Sequence, residues 1–141
     1  MRIMAIDYGD AHTGIAISDP TGFLAGFTTV INAYRPEVVA EQVAALAKEH
    51  GVEELVLGHP INMDGTRGPR SEKAQAMKAL LEETASLPVV LWDERRTTID
   101  AHQILMNSGK NAKKRKKVVD AVAATLILEG YLTYKKSRQG L

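Results

Sequence analysis

The chain opens on consecutive apolar residues, Ile3-Met4-Ala5-Ile6, closed by Asp7. Such a run reads as a strand buried on both faces, over residues 2–8. A turn containing Gly9 leads to a second strand, Gly14-Ile15-Ala16-Ile17-Ser18, and Asp19-Pro20-Thr21-Gly22 is a strong turn signal. A third strand, roughly residues 24–32, is rich in β-branched and aromatic residues. Three strands joined by short turns make an antiparallel meander.

The hydrophobic period then changes. Pro36 suits the first turn of a helix, and Val39, Val43, Leu46 and Ala47 recur at helical spacing until Gly51 stops it. Residues 54–58 form a short buried strand, and His59 to Arg70, punctuated by Pro60, Gly65, Gly68 and Pro69, reads as a loop. A second helix is expected at about 71–86, a strand at Val89 to Trp92, a third helix at about 97–107, a basic loop at 110–117, and a final helix from about Lys117 to Lys136. The order βββαβαβαα predicts one α/β domain over residues 1–141, a mixed five-stranded sheet (meander plus two parallel strands) with helices on both faces. A ribonuclease-H-like fold has this order.

Charge adds a second signal. The chain has 141 residues and a net charge of +1, yet residues 110–117 hold six of its 18 Lys and Arg and no acid. The remainder carries 12 basic residues against 17 acidic, a net of −5. That separation suggests a polyanion contact on an acidic body, beside the plainer reading of a solvated basic loop. No cysteine is present, which excludes disulfides and thiolate metal sites. With no apolar run near the ~18 residues of a membrane span, and an acid at position 7, a cytoplasmic protein is expected. Aromatics at 5% argue against a stacking platform for single strands and favour structured or double-helical nucleic acid.

Three acids stand out as candidate chemistry. Asp7 and Glu94 follow apolar strand runs, and Asp120 falls in line with Ala123, Ala124 and Ile127 on the apolar face of the last helix, with Tyr131 one turn on. Each has a structural alternative: a turn residue for Asp7, an exposed ion-pair network around Asp93-Glu94-Arg95, a helix N-cap for Asp120. If the three converge, their mutual repulsion calls for divalent cations. Oxygen donors suit two Mg²⁺ or Mn²⁺ ions, the arrangement that hydrolyses phosphodiesters. His12, His50, His59 and His102 match no zinc spacing and read as turn or surface histidines. Arg67, Arg70 and Arg95, with Lys113, Lys114, Arg115, Lys116 and Lys117, are the expected phosphate contacts.

These residues resemble a known pattern along nearly the whole chain. Ile6-Asp7-Tyr8-Gly9 with Gly14 to Asp19, Leu57-Gly58-His59-Pro60 with Asn62 to Gly65, Asp93 to Thr98, and Asp120 to Ala124 are similar to four motifs of the YqgF/RuvX family. That family comprises ribonuclease-H-like nucleases related to the Holliday junction resolvase RuvC. The resemblance implies Asp7, Glu94 and Asp120 as metal-binding catalytic acids, with Asp93 the rival to Glu94. It implies 5′-end maturation of pre-16S ribosomal RNA, or resolution of branched DNA by a homodimer instead of a monomer. His12 departs from the family's arginine and His59 from its leucine. Outside this class stand a nucleotide-binding lobe and a metal-free RNA-binding factor, and the second would leave Asp120 unexplained.

Overall fold

The computed structural model describes residues 1–22, 25–59, 68–93 and 112–138, with the helix alone described at 112–120 and 138. The meander is formed by β1 (Arg2–Asp7), β2 (His12–Ser18) and β3 (Ala25–Asn32); then come α1 (Pro36–His50), β4 (Val52–His59), α2 (Pro69–Ala85), β5 (Val89–Asp93) and α3 (Ala112–Arg138). A side chain at Gly9 would collide with the His12 carbonyl oxygen, so the tight β1–β2 turn depends on glycine. Gly51 ends α1 in the left-handed region, φ 68°, where glycine carries no Cβ penalty.

The sheet order is β3-β2-β1-β4-β5. β1 pairs antiparallel to β2 and parallel to β4, which pairs parallel to β5. The carboxyl ends of the three parallel strands, Asp7, His59 and Asp93, therefore lie along one edge. This is the expected five-stranded mixed sheet.

Strand alternation divides the core in two. Met4, Ile6, Ile15, Ile17, Leu55 and Leu57 pack with Val39 and Val43 of α1 and with Met77 and Leu81 of α2. Ile3, Ala5, Ala16, Val56 and Trp92 pack on the opposite face, with Ala124, Ile127, Leu128, Tyr131 and Leu132 of α3. The small residues Ala5 and Ala16 on that face leave room for α3 to lie close. The C-terminal part of α3 is tied down by the Tyr131 hydroxyl, which donates to Glu54 Oε1 at 2.5 Å, and by Lys135, 3.4 Å from the same oxygen. Burial, and next the Glu54 carboxylate, raise the Tyr131 hydroxyl far above its ordinary pKa, so it remains a donor.

Three of the boundaries that differ from expectation bear on the site. β4 runs on to His59, because that histidine is buried and hydrogen-bonded. α2 begins at Pro69, which takes the first helical position where its missing N–H costs nothing, so Arg70 is helical instead of in a loop. Residues 112–117 of the expected basic loop belong to α3. Lysine, arginine and alanine are good helix formers, and this stretch has no Gly or Pro to stop them. The expected helix at 97–107 and most of the loop at 59–70 lie outside the described residues. No helix among the described residues is long and apolar enough to cross a membrane.

Candidate active site

Asp7 is the last residue of β1, and alternation puts it on the side of Ile3 and Ala5, the face that α3 covers. Its partner across the antiparallel ladder is Gly14, which has no side chain to crowd it. Half-buried at the carboxyl edge of a central strand, Asp7 stands where open α/β sheets bind their ligands.

α3 runs antiparallel to β1. Leu132 and Lys135 line a crevice with Met1 and Ile3, at the end of β1 away from Asp7. Asp7 is about 13 Å from Ile3 at ~3.3 Å per residue, and position 120 is about 18 Å from Leu132 at ~1.5 Å per residue. Both therefore reach toward the same edge. Position 120 lies one turn before Ala124 on the stripe that continues through Ile127, Leu128 and Tyr131. Because α3 starts at Ala112, position 120 is in its third turn, so an N-cap no longer accounts for Asp120.

β5 sets the face of one of the two candidate acids, Asp93. Val90 and Trp92 face α3, whereas Val89 and Leu91 face α1 and α2. Asp93, in register with His59, belongs by alternation to the α2 face, away from Asp7. Glu94, Arg67 and Arg95 lie outside the described residues, as do the side chains of Asp120, Lys113, Lys114, Arg115, Lys116 and Lys117. Among the described residues no group of three acids or histidines is placed to hold a metal; of the proposed three, only the Asp7 side chain is described. Arg70 is exposed on the first turn of α2, beside Ser71. Ser71 bonds to His59 at the end of β4, which sets Arg70 at the carboxyl edge.

His59 is the residue the sequence misreads most. It is not a surface histidine: it is 6% exposed, and its Nε2 is hydrogen-bonded at 2.6 Å to Ser71 Oγ, itself fully buried. The pair joins the end of β4 to the start of α2 across the segment 60–67. His12 fits expectation better, with its Nδ1 2.7 Å from Asn32 Oδ1 at the surface, and His50 lies against Phe27, ring centroids 4.7 Å apart. His102 is outside the described residues. The His59–Ser71 pair predicts a specific stability pattern. His59→Leu should cost about 1–3 kcal/mol by stripping buried Ser71 of a strong partner, and adding Ser71→Ala should restore most of it. Urea unfolding of both variants measures this, and a double variant no more stable than the single one would contradict it.

Comparison with known proteins gives consistent results. Residues 1–134 match the family model described as RuvX, Holliday junction resolvase. A Halothermothrix orenii protein named "Putative pre-16S rRNA nuclease" is 44% identical over 140 residues, covering 99% of this chain and all of that one. A Bacillus subtilis protein of the same name is 43% identical over 134 residues, covering 94% of this chain and 97% of that one. Among solved structures, Thermus thermophilus RuvC in complex with a Holliday junction substrate aligns at a TM-score of 0.61 and 14% identity, covering 99% of this chain and 96% of that one. The last likeness shows the fold, which is ribonuclease-H-like.

Proposed function

The chain belongs to the RuvX family, and from that premise we propose that it is a metal-dependent nuclease of structured RNA that processes the 5′ end of pre-16S ribosomal RNA in the cytoplasm. The observation that carries the reading is the placement of Asp7 at the carboxyl edge of β1, on the face covered by α3, with position 120 on the stripe of α3 that packs there. Relatives of near-equal length named for this activity support it further.

The donor set fits hard divalent cations: carboxylate oxygens, no thiol anywhere in the chain, and a glycine opposite Asp7 where a bulky side chain would compete for the space. Asp7, Glu94 and Asp120 would hold two Mg²⁺ or Mn²⁺ ions. Such a pair would supply an activated water and charge stabilisation at the leaving oxygen. Asp93 is set aside in favour of Glu94 because it belongs to the other face of the sheet. The chain's own contribution would be to hold those carboxylates, Asp7 at the end of β1 among them, and to grip the phosphate backbone through Arg70 at the carboxyl edge, Arg67, Arg95 and the lysines of the basic run.

The family model's description and the likeness to RuvC favour a second reading, resolution of Holliday junctions. Paired symmetric cuts would require a homodimer, whereas RNA trimming needs only a monomer. The test is cleavage of two labelled substrates in parallel with Mg²⁺ or Mn²⁺, a pre-16S ribosomal RNA fragment and a four-way DNA junction. Cutting of the RNA alone is the expected result. Paired cuts in the junction alone would replace it with the resolvase, and no cleavage of either would overturn the nuclease reading.

A further inference from the structure

On the face of the sheet opposite α3, a cleft of about 300 Å³ opens beside the carboxyl edge. Its wall is Tyr8 from the residue after β1, Tyr34 and Pro36 from the β3–α1 connection, and Met77 and Leu80 from α2. Met77 is buried and Tyr8 and Leu80 pack against the core, so the floor is firm. Tyr34 is 83% exposed, far more than any other large apolar side chain among the described residues. Lys73 and Asp10 form an ion pair at 3.0 Å on the lining.

These features suit one kind of occupant. An exposed and a half-buried tyrosine lining one cleft over an apolar floor offer aromatic surface to a flat heterocycle. The volume sits at the low end of small-molecule sites, which span about 300–1,000 Å³, and is enough for one such ring system. Lys73 neutralises Asp10, so the lining does not repel a polyanion. Position is the decisive feature. Tyr8 directly follows Asp7, with consecutive Cα atoms ~3.8 Å apart, so the cleft starts at the edge where the proposed Asp7 site would hold the scissile phosphate. A strand crossing that edge would bring a neighbouring base to the cleft.

We propose that the Tyr8–Tyr34 cleft binds one unpaired nucleobase of the substrate strand, stacked on Tyr34. This rests on the nuclease reading and adds a requirement to it: the paired substrate must offer an unpaired nucleotide next to the site of cleavage. Low overall aromatic content does not oppose a single stacking position, since two tyrosines suffice.

The test is binding of a fluorescein-labelled RNA stem with a short unpaired tail, against the same stem ended flush, followed by anisotropy in EDTA. The wild-type chain should prefer the tailed stem. Tyr34→Ala should weaken tailed-stem binding about tenfold, as loss of one base–aromatic stack does, and leave flush-stem binding within about twofold. Tyr34→Phe should behave as wild type. At 83% exposure Tyr34 is not needed for folding. Equal binding of the tailed stem by Tyr34→Ala and wild type, or equal weakening of both stems, would overturn the proposal. Because these readings need neither metal nor cleavage, a failure of the nuclease reading appears separately, as wild-type chain with Mg²⁺ that leaves the RNA uncut.

Discussion

Asp7→Asn is expected to reduce cleavage about a thousandfold or more while leaving the fold intact. The side chains are nearly isosteric, so packing at the end of β1 is preserved and the change is one of charge. A carboxylate that would help hold the ions would support several kcal/mol of transition-state charge stabilisation, and each ~1.4 kcal/mol is tenfold in rate. The same substitution should act on stability with the opposite sign. In EDTA, removing one of the three carboxylates of the proposed site should relieve repulsion, so the melting temperature should hold or rise. With Mg²⁺ at a hundred times its dissociation constant the wild type should gain about 2.7 kcal/mol by mass action, and the variant much less. Thermal melts in EDTA and in Mg²⁺ separate these effects from cleavage. Glu94→Gln and Asp120→Asn should follow Asp7→Asn, whereas Asp93→Asn, on the α2 face, should keep most of the activity. Near-wild-type cleavage by Asp7→Asn, or equal Mg²⁺ stabilisation of variant and wild type, would remove Asp7 from the proposed metal site.

The elements legible in the sequence are those whose hydrophobic period is local. Ile3 to Ile6 and Ile15 to Ile17 alternate between two buried faces, and Val39, Val43 and Ala47 repeat at helical spacing, so the meander and α1 could be read directly. The helical state of position 120 follows from the same kind of local period. What the sequence hides is polarity satisfied at long range. His59 looks like the start of a loop until Ser71, 12 residues on, is seen to bond it in the core. Arg70 looks like loop because Pro69 reads as a breaker, although proline suits a first helical turn. The choice between Asp93 and Glu94 needs the register of β5 against β4, which no local pattern contains. The Tyr8–Tyr34 cleft likewise assembles three segments distant in sequence. A signal existed only for Tyr34, an aromatic residue two positions before a helix-starting proline.

The helical state of residues 112–117 changes what the basic run can do and makes its removal the second large effect. Five cations, Lys113, Lys114, Arg115, Lys116 and Lys117, stand at the N-terminus of α3, with no acid in the first turn. The helix dipole is positive there, so those in the first turn each oppose helix formation by ~0.3–1 kcal/mol at low salt. A bound polyanion reverses that cost, and the helix it stabilises carries position 120 two turns later. At 3.6 residues per turn, about three of the five can face one phosphate backbone. Replacing all five with glutamine, whose helix propensity is close to theirs, should flatten the log–log salt slope by about 2.7, and should weaken binding of the RNA roughly a hundredfold at 200 mM salt and three thousandfold at 50 mM. The free protein should at the same time melt at an equal or higher temperature, because the unfavourable charges are gone. Titrations across salt, paired with thermal melts, read both. An unchanged slope would mean that the basic turns of α3 do not touch phosphates. A flattened slope with a large fall in melting temperature would mean that the run stabilises the fold, contrary to its placement at the positive end of the helix.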